Sequence, residues 1–218
     1  MPMKSVNILL VDDHAIVREG YRALINRQDS FNIIAETGSG EEAYRLYKEL
    51  NPSLVLLDLS LPGKGGLATL LQIRQFDKDA KVLIFSMHQN PAMAQKTIES
   101  GARGYITKSS EPGVLVQAIN DVMRGRIALS DDMAHALALE KLNGQKSTIT
   151  DLTTREFEIL RMLVEGKSKQ EIADTLCISA KTVANSHYII KSKLNVKSDI
   201  ELLHSAVQMG VISTSELL

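Results

Sequence analysis

The sequence predicts an α/β protein: a doubly wound, five-stranded parallel sheet followed by a small all-α domain. Three observations carry that prediction. Short, wholly apolar runs alternate with helical patterns through the first 125 residues, as the βα units of a parallel sheet require. Polar, hydroxyl or charged residues stand where those runs stop, the pole at which open α/β sheets bind ligands. From Leu152 onward the apolar spacing is helical throughout.

The elements follow in order. Val6–Val11 reads as a buried strand, and the next helix turns Val17, Tyr21 and Leu24 inward at i, i+4, i+7. Phe31–Ala35 is a second strand. Ser39 or Gly40 opens a helix through Leu50, which Asn51-Pro52 stops. Leu54–Leu57 is a third strand, four apolar residues that end at Asp58 and a Leu61-Pro62-Gly63 turn. Gly65-Gly66 leads into a helix ending near Phe76, and Lys81–Phe85 is the fourth strand. Pro91 starts a helix that Gly101 ends. Tyr105-Ile106 is a short fifth strand, and Glu111-Pro112 begins a helix to Met123. Five strand–helix pairs make residues 1–125 one domain.

Composition narrows the class. The 218 residues are 44% apolar and 23% charged, ordinary for a soluble globular protein. The single cysteine, Cys177, excludes a disulfide framework, suits a reducing cytoplasm and reads as a small buried apolar residue. Val6–Val11 is far too short for a signal peptide or membrane span, so no membrane partner is expected. The net charge of −1 means that any nucleic acid must meet a local basic patch. Such a patch exists. Between Gly166 and Lys197 six lysines face only Glu171 and Asp174, whereas residues 1–125 balance at 14 basic and 14 acidic.

The strand ends suggest a chemistry. The first strand ends in Asp12-Asp13, the third in Asp58, the fourth in Ser86 and the fifth in Thr107-Lys108. Three converging carboxylates repel one another without a cation, and hard oxygen ligands that leave room for water and phosphate point to Mg2+. The set fits phosphoryl transfer to a carboxylate: Asp58 as nucleophile, Asp12 and Asp13 as metal ligands, Lys108 pairing with the acyl phosphate and Ser86 donating to it. An isolated Asp-Asp pair is more often a helix cap; it is the five residues at matching strand ends that carry the argument. His14 reads as an exposed first-turn histidine, and His88 as a loop residue outside the pocket.

Residues 126–149 read as a linker, with a short amphipathic helix opening at Ser130-Asp131-Asp132 and a polar tether over Asn143–Ser147. Residues 150–218 form the second domain. Thr153 and Glu156 have capping-box spacing, and Phe157, Leu160 and Val164 mark an inner face up to Gly166. A short helix from Ser168 to Leu176, a tight turn and a helix from Ala180 to Leu194 make a helix-turn-helix, whose second helix enters a DNA major groove. At about 100° per residue, Val183, Ile190 and Leu194 face the core, and His187 packs beside them. Lys181, Asn185, Tyr188, Ser192 and Ile189 face solvent, suited to phosphates, base edges and thymine methyls. Lys191 and Lys193 flank them, and Lys169 and Thr182 complete the candidate DNA contacts. The last helix, opened by Ser198, carries two apolar stripes. Ile200, Leu203, Val207 and Val211 are expected to face the core, and Leu202, Ala206 and Met209 a partner helix.

The motifs bring a family into view. Val11-Asp12-Asp13-His14, Leu57–Gly63 and Gly101–Lys108 closely resemble those of two-component receiver domains. That resemblance implies Asp58 as phosphoacceptor for a sensor histidine kinase, the Ser60 carbonyl as a further metal ligand, and Ser86 with Tyr105 as a coupled switch pair. Many receivers have Pro after the lysine; here Ser109-Ser110 follows. Leu152–Glu156, Gly166–Ala173 and Ile178–Val183 resemble the LuxR-type DNA-binding domain. The chain thus resembles a NarL/FixJ-type response regulator, most like its GacA/UvrY branch. This implies double-stranded DNA as partner and a homodimer formed on DNA through the last helix. Ala184 and Ser186 stand where the family often has Lys and His, so its target sequence does not carry over. A signalling adaptor without DNA binding is the alternative, which the lysine-rich segment argues against. A hydrolase of the same fold is weaker still, because no mobile acid/base pair is evident.

Overall fold

The structure, a computed structural model, describes residues 5–87, 89–143, 151–176, 178–209 and 211. His88, Cys177 and the polar tether from Gly144 onward lie outside them. The chain divides into two compact units, residues 1–87 with 97–135, and residues 88–96 with 136–218.

The first unit is the expected doubly wound sheet. Strands β1 (Val6–Val11), β2 (Phe31–Thr37), β3 (Leu54–Leu57), β4 (Val82–Ser86) and β5 (Gly104–Thr107) alternate along the chain with helices α1 (Ala15–Ile25), α2 (Gly40–Leu50), α3 (Gly65–Phe76), α4 (Pro91–Glu99) and α5 (Pro112–Met123), of which residues 91–96 of α4 fall in the second unit. These strands are parallel in the order β2-β1-β3-β4-β5. The four residues of β3 are at most 1% exposed. Each such side chain contributes about 1.5–3 kcal/mol of burial, so β3 anchors the sheet and fixes where Asp58 emerges.

The sheet has one strand more than expected. Ala128–Leu129 forms β6, paired in parallel with Gly104 and Tyr105. Gly104 makes room for it, since a Cβ there would lie 2.5 Å from the Ala128 carbonyl oxygen. Helix α6 (Asp131–Asn143) follows directly. The expected linker is therefore a strand and a helix up to residue 143, and the first unit runs ten residues past the boundary read from sequence.

The second unit carries α7 (Thr154–Val164), α8 (Lys169–Leu176), α9 (Ala180–Lys193) and α10 (Asp199–Gln208). Hydroxyl caps set their starts. Thr153 and Glu156 form the expected capping box, with the Thr153 N–H donating to Glu156 at 2.6 Å. Ser168 and Glu171 form a second reciprocal pair, which the sequence reading missed. Ser179 and Ser198 accept from the N–H groups of Thr182 and Glu201. Phe157, Leu160, Ile172, Val183 and Ile190 fill the core between these helices.

Candidate functional site

The pocket is built where β1, β3 and β5 end. Main-chain pairing of Val11 with Leu57 brings Asp12 beside Asp58, and the Asp58 N–H donates to the Val11 carbonyl at 2.9 Å. Gly66 lets α3 close over the loop after β3, because a Cβ there would lie 2.0 Å from the Asp58 carbonyl oxygen. Asp12 and Asp58 are both 2% exposed. Lys108 Nζ donates to Asp12 Oδ2 at 2.6 Å and to Asp58 Oδ2 at 2.7 Å. Burial alone would push the Lys108 ammonium down, but Asp58 and Asp12 outweigh it and hold it above the usual lysine range. A charged lysine clamps two carboxylates that would otherwise repel.

The other oxygen of Asp58 accepts from the Ser60 N–H at 3.2 Å, so both sides of this carboxylate are fixed. Ser86, fully buried, ends β4 in register with Thr107. The Tyr105 hydroxyl is hydrogen-bonded to Ser86, and burial drives its pKa well above the usual tyrosine range. Tyr105 itself is fully buried. The structure thus brings together Asp12, Asp13, Asp58, Ser60 and Lys108, with Ser86 and Tyr105 as a bonded pair.

Two neighbours join this set, and of these Arg18 was not singled out from the sequence. His14 is exposed, as expected, yet its Nδ1 lies 2.9 Å from Asp13 and 3.4 Å from Asp12. One ligand atom each from Asp12, Asp13, His14 and Asp58 falls within a 4.8 Å cluster, a spacing one divalent cation can fill. The donor set therefore fits a metal. Arg18, one turn into α1, donates to the Asp12 carbonyl and braces the acid pair from outside.

In the second unit, the solvent face of α9 is as read: Lys181, Thr182, Asn185, Tyr188, Ile189 and Ser192 are exposed, as is Lys169 on α8. Tyr188 and Ile189 are large side chains left open to solvent. Val183 and Ile190 are fully buried, and His187 lies with them, its Nε2 3.0 Å from Asp199. The flanking lysines are engaged within the unit. Lys191 meets Asp199 at 3.0 Å, and Lys193 bonds Glu156 at 2.7 Å and the Asp151 carbonyl at 3.0 Å. The Thr182 hydroxyl pairs with Ser179 at 2.8 Å within the helix cap.

The stripes of α10 are exchanged, which corrects the expected dimer residues. Leu202 and Ala206 are 2% and 0% exposed, so they are core and cannot present a partner surface. Met209 is half-buried with them. Ile200, expected inside, is 81% exposed, while Val211 is buried as expected. The reason is helix phase: Ser198 caps α10 so that Leu202 and the small Ala206 face α7, on which the helix packs. Leu203 and Val207, half-buried, flank the open Ile200 side.

A clamped carboxylate pocket at the strand ends of one domain and a helix-turn-helix in the other define a two-domain protein of the receiver and DNA-reader type. Comparison with known proteins agrees. Residues 8–120 match the response regulator receiver domain, and residues 150–206 match the bacterial regulatory proteins, luxR family. The response regulator UvrY of Escherichia coli (strain K12) is 33% identical over 97% of this chain and 98% of its own. The transcriptional activator protein ExaE of Pseudomonas putida is 37% identical over 95% and 98%. Among solved structures, a LuxR-family two-component response regulator from Aurantimonas sp. SI85-9A1 is 51% identical across 64% of this chain and 99% of its own, with a TM-score of 0.63. An RcsB–DNA complex is 25% identical across 93% and 98%, with a TM-score of 0.76. The chain belongs to the NarL/FixJ family of two-component response regulators. It joins a receiver to a LuxR-type DNA-binding domain and acts in transcriptional regulation.

Proposed function

We propose that Asp58 takes a phosphoryl group from a sensor histidine kinase and that its phosphorylation controls binding of double-stranded DNA by α9. The observation that carries this reading is the Lys108 ammonium held on Asp58 and Asp12 at 2.7 and 2.6 Å. In the transfer an Asp58 oxygen attacks phosphorus, the P–N bond of the phosphohistidine breaks, and the leaving imidazole takes up a proton. Lys108 moves with the new acyl phosphate as its counter-charge, and Ser86 donates its hydroxyl to a phosphoryl oxygen while Tyr105 follows it. Asp12, Asp13, Asp58 and the Ser60 carbonyl would hold Mg2+, which supplies charge neutralisation at the phosphoryl oxygens. Beyond this self-catalysed transfer and its hydrolysis the protein has no enzymatic role.

Lys169, Lys181, Thr182, Asn185, Tyr188, Ile189 and Ser192 would meet DNA, with Lys191 and Lys193 at the margin. The active species is a homodimer that uses the open Ile200 side of α10. Two relatives' names support the regulatory reading, and no described helix is long and apolar enough to cross a membrane. With a kinase donor and a DNA target, the proposed site of action is the cytoplasm.

The test is labelling by acetyl phosphate. With Mg2+, mass spectrometry should find a single phosphoryl group on the peptide containing Asp58, and none after chelation. Phosphate mapped elsewhere, or uptake by Asp58→Asn at the wild-type rate, would overturn the assignment.

A further inference from the structure

The family motif usually places Pro after the pocket lysine, and this chain has Ser109-Ser110 there instead. The structure gives those serines a role. The Thr107 hydroxyl accepts from Ser109 at 3.2 Å, lies 2.9 Å from the Ser110 hydroxyl, and donates to Asp132 Oδ2 at 3.2 Å. A threonine hydroxyl has one proton and two lone pairs. With its proton committed to the Asp132 carboxylate, which can only accept, Ser110 must donate to it, and the hydroxyl is saturated. Asp132 therefore sets the direction of the whole cluster.

Thr107 is fully buried and immediately precedes Lys108, whose backbone N–H is held by the Ser86 carbonyl at 2.8 Å. By strand alternation Thr107 shares a face with Tyr105, and behind burial and the Asp58 charge the Asp132 charge adds a smaller push upward on the Tyr105 pKa. The connector also touches the switch strand through its backbone. The Ser130 N–H donates to the Tyr105 carbonyl at 3.2 Å, and β6 pairs with β5 just before it. A carboxylate in the first turn of α6 would be favourable for the helix dipole alone. Asp131 and Asp132 are both exposed in that turn and either meets that need, but it is Asp132 that the Thr107 hydroxyl bonds.

We propose that Asp132 is a positioning residue of the phosphoacceptor pocket. Through the Thr107 hydroxyl it fixes the 107–110 turn from which Lys108 reaches Asp58, and so couples the pocket to the first turn of α6. The coupling is reciprocal, as linkage demands: a change in the Lys108 and Tyr105 arrangement must alter the hold on α6. This rests on Asp58 being the phosphoacceptor.

The test uses the full chain with acetyl phosphate and Mg2+, and compares wild type with Asp132→Ala, Asp132→Asn, Asp131→Ala and Thr107→Val. Phosphoryl uptake, the lifetime of the Asp58 phosphoryl group and hydrogen exchange of amides 131–135 are measured. Asp132→Ala and Thr107→Val should each change uptake or lifetime roughly three- to tenfold, the scale of one hydrogen bond. Asp131→Ala should match wild type, and Asp132→Asn, which keeps the acceptor, should recover most of the effect. Phosphorylation should change exchange at 131–135 in wild type and not in Thr107→Val. Asp132→Ala kinetics equal to wild type, or Asp131→Ala as altered as Asp132→Ala, would overturn the proposal. Failure of wild type to take phosphate would instead sink the proposed function.

Discussion

Replacing Lys108 with methionine removes the one cation between two buried carboxylates while keeping most of the side chain's packing. Asp12 and Asp58 are each 2% exposed and the Lys108 side chain 4%, so water cannot stand in for the ammonium. An ion left buried and uncompensated by loss of its partner costs about 3–5 kcal/mol. Here the two carboxylates also repel each other, which puts the expected loss at the upper part of that range. Urea unfolding of Lys108→Met, followed by circular dichroism in chelating buffer, should show a first-unit midpoint lower by more than about 1 M. Added Mg2+ should raise that midpoint more in the variant than in wild type, because the cation then meets carboxylates with no competing ammonium. A variant within about 1 kcal/mol of wild type without metal would contradict the clamp and the electrostatic argument built on it.

Three further outcomes follow from the helical unit. Asn185→Ala should weaken binding to a selected site by about 1–3 kcal/mol without moving the melting temperature; equal affinity would remove Asn185 from the base-reading face. Ile200→Asp should fold normally but bind paired half-sites poorly, whereas Leu202→Asp should lower the melting temperature outright. Melting and one-site against two-site binding, run side by side, distinguish these, and normal folding of Leu202→Asp would reverse the assignment of the α10 stripes. Burial pushes His187 down from its ordinary 6.5 more than nearby Asp199 pulls it up. The unfolded chain therefore takes this proton first as pH falls. Stability of the helical unit should be complete above pH 6.5 and decline as pH drops below it. A melting profile of His187→Gln with the same acid-side decline would place the titration elsewhere.

The parts of the fold that were readable are those where apolar runs meet Gly or Pro. Strand β3 and helices α3 and α5 stand where Leu54–Leu57, Gly65-Gly66 and Glu111-Pro112 put them. Strand β6 was not readable, because two residues carry no periodicity and the space for them is made by Gly104, twenty-four positions away in the sequence. The strand-end residues could be listed from sequence, but which of them touch was set by register, as in the Asp12–Lys108–Asp58 bridge. Arg18 escaped notice because it bonds a backbone carbonyl, which no side-chain pattern reports. The α10 wheel showed two apolar stripes, and composition could not choose between them; packing of the small Ala206 did. Lys193 has the composition of a phosphate contact, yet it braces the capping box of α7 through Glu156.

The central claim is that the state of Asp58 governs what α9 does. Its most direct test is binding of the full chain to duplex DNA carrying two half-sites about one helical turn apart, with and without acetyl phosphate and Mg2+. The account predicts that phosphorylation tightens paired-site binding in wild type and leaves Asp58→Asn unchanged at the unphosphorylated affinity. Equal tightening in Asp58→Asn, or no change in wild type that demonstrably carries phosphate on Asp58, would contradict it.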